Sequence, residues 1–227
     1  MLTETYKKDA IVLLSGGQDS TTCLFWAKKN FKTVYAIGFD YGQMHRKELD
    51  QANKICEEAN IKYKIFKIHD LLAKSSLTEK TDHNDQSLIN SELPASFTAG
   101  RNLLFLTIAG SYAAEKGIND IVTGVCQTDY SGYPDCRRTT INAMENALSL
   151  GLGSGDIRIH TPLMYIDKAK TWKMAKDLDC LDVIINDTLT DYNGDMTKNE
   201  WGYGTNNNPA TALRVKGYLE AKENGWI

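Results

Sequence analysis

The chain has 227 residues, 42% of them hydrophobic and 24% charged, with a formal net charge of −3, a balance that suits one generous globular domain or a domain with a small appendage. The slightly acidic balance argues against a nucleic-acid binder driven by phosphate contacts, and no apolar run approaches the roughly 20 residues of a membrane span. Five scattered cysteines without a CxxC pair (Cys23, Cys56, Cys126, Cys136, Cys180) and an N-terminus without an apolar signal stretch point to reduced thiols in a cytoplasm.

Residues 10–14 (AIVLL) form a continuous apolar run with β-branched members, the mark of a strand buried on both faces. After a Gly-Gly turn, residues 22–29 read as a helix. Residues 33–39 (TVYAIGF) read as a second buried strand. The helix expected over 46–59 carries Leu49, Ala52, Ile55 and Ala59 on one stripe. A third strand is expected at 63–68, a helix buried nearly all round at 103–114, and a fourth strand at 120–125. Helices at 139–150 and 168–176 follow, with a short closing helix over 212–223. Strands alternating with helices predict right-handed crossovers and a parallel sheet covered on both faces. Two stretches fit no element. Residues 70–100 make a long polar connection of the kind that carries function. Residues 191–211 are rich in Gly, Asn and Thr and poor in core.

The turn after the first strand reads Ser15-Gly16-Gly17-Gln18-Asp19-Ser20. Glycines let backbone amides approach an anion, and the following helix N-terminus adds about half a positive charge. Ser15 and Ser20 can donate to phosphate oxygens, so the turn is an anion cradle that needs no lysine. Asp19 suits such a place as a Mg²⁺ ligand or as a partner to the groups that ligate the ion. In open parallel sheets, ligands sit beyond the carboxyl ends of the strands, where this turn falls.

The SGGQDS string resembles the signature of ATP pyrophosphatases of the adenine-nucleotide α-hydrolase type. The resemblance implies a Rossmann-like, doubly wound α/β sheet that grips ATP through Ser15, Gly16, Gly17, Gln18, Asp19 and Ser20, with Phe39 and Gly124 lining the nucleotide. Phe39-Asp40-Tyr41-Gly42-Gln43, Gly100-Arg101-Asn102, Ser131-Gly132-Tyr133-Pro134-Asp135-Cys136-Arg137 and Thr161-Pro162-Leu163 ahead of Lys168 narrow the match. From about residue 10 to 220 the chain resembles the 7-cyano-7-deazaguanine synthase family. This implies ATP-dependent conversion of 7-carboxy-7-deazaguanine and ammonium to the nitrile, by a homodimer that binds neither nucleic acid nor membrane. Asp19, Arg101 and Lys168 are the expected catalytic residues. Gln43, Asp129, Tyr133, Asp135 and Arg137 are the expected substrate contacts: a carboxylate for the ring N–H groups, Tyr133 for stacking, Arg137 for the substrate carboxylate. His45, Cys126 and Cys136 are read as ordinary polar or packing residues.

The family's C-terminal segment holds a structural zinc on four cysteines. Aligned on Pro209-Ala210 and Leu213-Arg214, those positions here are Asp191, Thr205, Asn208 and Thr211. One carboxylate, an amide and two hydroxyls are the wrong donors for a closed zinc site. No structural zinc is expected. Asp191 is expected to accept hydrogen bonds from both Thr hydroxyls and the Asn208 amide, with Trp201, Tyr203 and Tyr192 packed together around them. The expected division is an α/β domain over 1–187 and this segment over 188–227. Two other readings are an ATP-binding relic serving as sensor or scaffold, and an ATP pyrophosphatase acting on a related deazapurine acid.

Overall fold

The computed structural model describes residues 6–44, 46–72, 75–79, 85–87, 92–128, 132–153 and 155–227. His45 and Asp129 lie outside them.

β1 (Tyr6–Leu13) leads into α1 (Gln18–Asn30), β2 (Phe31–Asp40), α2 (Lys47–Glu58) and β3 (Lys62–Lys67). After the long connection come α3 (Arg101–Lys116), β4 (Asp120–Val122), α4 (Arg138–Gly151) and β5 (Arg158–His160). The five strands pair in the order β3-β2-β1-β4-β5, all parallel. The chain winds outward from β1 one way and from β4 the other, so the switch point lies between β1 and β4, where such sheets bind ligands.

Strand periodicity explains the double winding. On β1, Ile11 and Leu13 face a core shared with Leu106 and Ala109 of α3 and Ile141 and Leu148 of α4. Ala10 and Val12 face the other way, onto Leu24 and Ala27 of α1 and Ala52 and Ile55 of α2. A third core joins α5 (Lys168–Asp177), α6 (Leu181–Asp187) and α7 (Pro209–Glu223) around Trp172, Ile184, Trp201 and Tyr218. Among the described residues, no helix is long and apolar enough to cross a membrane.

The expected alternation is present, with several corrections. β4 stops at Val122, three residues early, because Thr123–Cys126 turn into the cavity described below. β5 and α6 are too short for periodicity to reveal; only Ile159 of β5 is buried. α3 is not buried all round: Leu103, Thr107 and Ser111, one stripe of the helix, are exposed. The 191–211 stretch holds a small antiparallel ribbon, β6 (Lys198–Asn199) with β7 (Gly202–Tyr203). α7 begins at Pro209, capped by Asn208, whose Oδ1 accepts from Thr211 N at 3.2 Å. Asn followed by Pro at the first helical position is a start signal that the sequence did carry.

Candidate active site

Beyond the carboxyl ends of β1, β2 and β4 lies a cavity of about 320 Å³. Ser15, Gly17, Gln18, Asp19 and Ser20 form one wall, and Phe39, Gln43, Arg101, Gly124 and Tyr133 contribute to the rest. The fold thus gathers residues from positions 15 to 133 around one space. Gly16 shapes the turn from behind: at φ +89, a Cβ there would run into the Glu48 carbonyl oxygen of α2. The Ser15 and Ser20 hydroxyls are 3.1 Å apart, and Ser15 Oγ also accepts from Gly17 N at 3.3 Å.

Lys168, at the start of α5, reaches back to Asp19 and donates to both carboxylate oxygens, at 2.9 and 2.7 Å. The lysine side chain is 10% exposed and that of Asp19 28%, so the pair is partly shielded and its attraction exceeds that of a surface bridge.

Arg101, the first residue of α3, stands among Tyr41, Tyr133, Tyr192 and Asp135. Burial pulls its pKa down, but those three phenols and the Asp135 carboxylate raise it above the ordinary value. Glu48, half-buried on the same cavity, is pushed up to about 8, chiefly by burial, with Arg101 opposing and Asp191 adding to the shift. A carboxyl that holds its proton at neutral pH leaves the Arg101 cation uncompensated on that side.

Other expected contacts have local partners. The Gln43 side chain closes the turn after β2, accepting from Tyr41 N at 2.9 Å and donating to Phe39 O at 3.3 Å. Phe39 is stacked on Phe105 (centroids 4.2 Å apart, planes at 5°), which leaves less ring surface for a ligand. Tyr133 is packed against Phe97, and its hydroxyl is 2.7 Å from Ser96 Oγ. Asp135 is buried and does not line the cavity; its Oδ2 accepts from Asn102 N at 3.1 Å in the first turn of α3. Arg137 is exposed, lies off the cavity wall and reaches Gly132 O at 3.5 Å. Cys126 and Cys136 both line the cavity, Cys126 donating its thiol hydrogen to Ile166 O at 3.3 Å. Sequence reasoning missed Tyr41, Glu48, Asn102, Phe105, Thr190 and Tyr192 as cavity residues. Tyr41, Asn102 and Tyr192 stood inside stretches already singled out, Tyr192 with a packing role; Glu48, Phe105 and Thr190 carried no signal of their own.

The four positions aligned with zinc cysteines meet in space as a hydrogen-bonded clasp. Asp191 Oδ2 accepts from Asn208 Nδ2 at 3.0 Å, and its Oδ1 from Asn193 N at 2.8 Å and Asp195 N at 3.3 Å. The Thr hydroxyls do not go to Asp191 as expected. Thr211 Oγ1 donates to the Thr205 carbonyl at 2.8 Å, and Thr205 Oγ1 to Asp195 Oδ2 at 3.1 Å. The reason is spacing: Thr211, in the first turn of α7, finds loop carbonyls closer than the carboxylate. Gly204 (φ +123) passes so near that a Cβ would sit 2.9 Å from Asp191 Oδ2 and from Thr211 Cγ2. These donors do not fit zinc, since only one of the four is an anionic ligand and it is already held by three N–H groups. The expected aromatic cluster does not form either. Trp201 joins the α5–α7 core, Tyr203 lies under the Lys198 ammonium, and Tyr192 faces the cavity beside Tyr133.

Residues 9–222 match the family model described as "Queuosine biosynthesis protein QueC". A 7-cyano-7-deazaguanine synthase of Clostridium botulinum (strain Langeland) is 50% identical over 216 residues, covering 94% of this chain and 96% of that protein. One from Phocaeicola vulgatus is 49% identical over 221 residues, covering 95% and 96%. Among solved structures, an NMN synthetase from Francisella tularensis shares a TM-score of 0.49 at 16% identity, covering 96% of this chain and 86% of that one.

Proposed function

The chain belongs to the queuosine biosynthesis protein QueC family, and from that membership we propose that it converts 7-carboxy-7-deazaguanine to 7-cyano-7-deazaguanine with ATP and ammonium. In class it is an ATP-dependent carbon–nitrogen ligase. One observation carries the reading at the level of this chain: the glycine turn, the Lys168-held Asp19 and Arg101 converge on a single cavity at the switch point of the sheet.

The chemistry removes two oxygens from one carbon. A substrate carboxylate oxygen attacks the α-phosphorus of ATP and the bond to pyrophosphate breaks. Ammonia then adds to the activated carbon, AMP departs with the first oxygen, and nitrogen gives up a proton. The amide oxygen attacks a second ATP in the same way, and AMP leaves with the second oxygen as nitrogen loses its remaining protons. In this scheme the Ser15 and Ser20 hydroxyls, with turn amides other than those of Gly17 and Gln18, hold the phosphates, while Lys168 and Arg101 offset charge that grows at phosphorus in the transition state. The phenols around Arg101 keep it in place and exclude water. Asp19 is the residue that would hold Mg²⁺, since a carboxylate offers about four lone-pair sites and Lys168 takes two; the ion would supply further charge neutralisation. A homodimer in the cytoplasm fits the same reading.

Incubation of purified protein with 7-carboxy-7-deazaguanine, ATP, Mg²⁺ and ammonium tests it. Nitrile with AMP and pyrophosphate is the expected outcome, with AMP at about twice the nitrile. ATP binding without AMP release would refute it.

A further inference from the structure

The C-terminal segment closes against the glycine turn. Leu189 N donates to Gly16 O at 3.1 Å, and Gln18 N, at the start of α1, donates to Thr190 Oγ1 at 3.0 Å. No side chain of the turn caps that helix. The capping hydroxyl comes from 172 residues away.

Thr190 Oγ1 accepts a second hydrogen bond, from Arg214 Nη1 at 3.1 Å. Both donors are N–H groups, so the polarity of both bonds is settled. A hydroxyl has two lone pairs and one hydrogen. With both pairs taken, the one remaining direction around the oxygen belongs to the hydrogen, and no described residue accepts it. Thr190 is half-buried and lines the same cavity as Ser15, Gly17 and Asp19. Arg214 is fully buried and places three of its four other donors on Trp201 O, Thr188 Oγ1 and Ile184 O, which holds it beside Thr190. A hydroxyl that accepts from a guanidinium is polarised and donates more strongly in turn.

We infer that Thr190 is a nucleotide-binding residue, whose hydroxyl is made a donor by Gln18 and Arg214 and hydrogen-bonds an oxygen of the polyphosphate held at the glycine turn. The inference rests on the proposed reading of that turn as a phosphate cradle. The phosphate end is favoured over the deazapurine because Thr190 Oγ1 sits on the N-terminal amide of α1. Arg214 acts only through Thr190, as a positioning residue. If Thr190 merely caps α1, its loss would leave ligand selectivity unchanged.

The test is calorimetric binding of inorganic pyrophosphate, α,β-methylene-ATP and AMP, with Mg²⁺ present, to the full chain and to Thr190→Val and Thr190→Ser. Thr190→Val should weaken pyrophosphate and the ATP analogue about 10- to 100-fold, the worth of one hydrogen bond to a charged group. AMP, which lacks the β- and γ-phosphates, should bind the variant within about twofold of wild type on the same reasoning. Thr190→Ser should behave as wild type. Equal pyrophosphate affinity in Thr190→Val and wild type would overturn the inference, as would an equal loss for AMP, which would mark general distortion. Should Thr190→Val fail to melt cooperatively, Thr190→Cys, similar in size and a weak donor, takes its place with the same expected direction. Wild type that binds neither pyrophosphate nor the analogue would instead sink the nucleotide reading of the turn, and this inference with it.

Discussion

Replacing Asp191 by alanine tests whether hydrogen bonds, rather than a metal, hold the C-terminal segment. Asp191 is fully buried and accepts from three N–H groups. Two of these are turn amides, of Asn193, which is exposed, and of Asp195, which is half-buried, so water can take over much of that bonding. The third, Asn208 Nδ2, is buried and would keep only the Asn207 side chain at 3.3 Å. Leaving a buried donor poorly paired costs about 1–3 kcal/mol, and the lost turn bonds add about 1 kcal/mol more. The total is about 2–4 kcal/mol. At 2–4 °C per kcal/mol for a chain of this size, Tm should fall by roughly 5–15 °C. Thermal melts followed by near-UV dichroism would read this through Trp201 and Trp172. The same melts on wild type with and without 1,10-phenanthroline should coincide, whereas a module built on structural zinc draws on the order of 10 kcal/mol from its metal. A chelator that lowers the wild-type Tm, or an Asp191→Ala variant that melts within about 1 °C of wild type, would refute the reasoning.

Three further outcomes follow from the cavity. Lys168→Met removes the donor to both Asp19 oxygens and should slow AMP release about 10²–10³-fold while Tm moves only a few degrees; an unchanged rate would remove Lys168 from the reaction. Gly16→Ala places a Cβ against the Glu48 carbonyl at a positive φ and should cost about 2–4 kcal/mol, read as a lowered urea midpoint together with weakened ATP binding. Glu48, raised to about 8 in the fold from an ordinary carboxyl value near 4.3, keeps its proton in the folded state while the unfolded chain has lost it. Its stability contribution is complete below about pH 4.3 and is lost as pH rises towards 8, by at most about 1.4 kcal/mol per pH unit. Glu48→Gln should flatten the fall in urea midpoint between pH 5 and 8, and equal slopes in the two proteins would show that Glu48 does not hold its proton.

Much of the fold was legible in the chain because its signals are local. Buried strands announce themselves as β-branched runs such as AIVLL, the α2 stripe by its spacing, and the turn beside the cavity by two glycines and two serines within six residues. Even the loss of thiolate chemistry near the C-terminus can be read position by position, at Asp191, Thr205, Asn208 and Thr211. What those four residues do instead could not be read, because each hydroxyl has several acceptors within reach and only the packing of α7 against the loop selects one. The same holds for the cavity. Glu48 looks like one more solvated acid on an amphipathic helix, Tyr192 like a loop aromatic, and Thr190 like a residue between elements. Their surroundings are assembled from segments up to 172 residues apart: burial raises the Glu48 carboxyl, and N–H groups from Gln18 and Arg214 occupy the lone pairs of the Thr190 hydroxyl. Local chemistry determined the sheet and the turn; the tertiary structure decided the polarity of the groups around the cavity beside that turn.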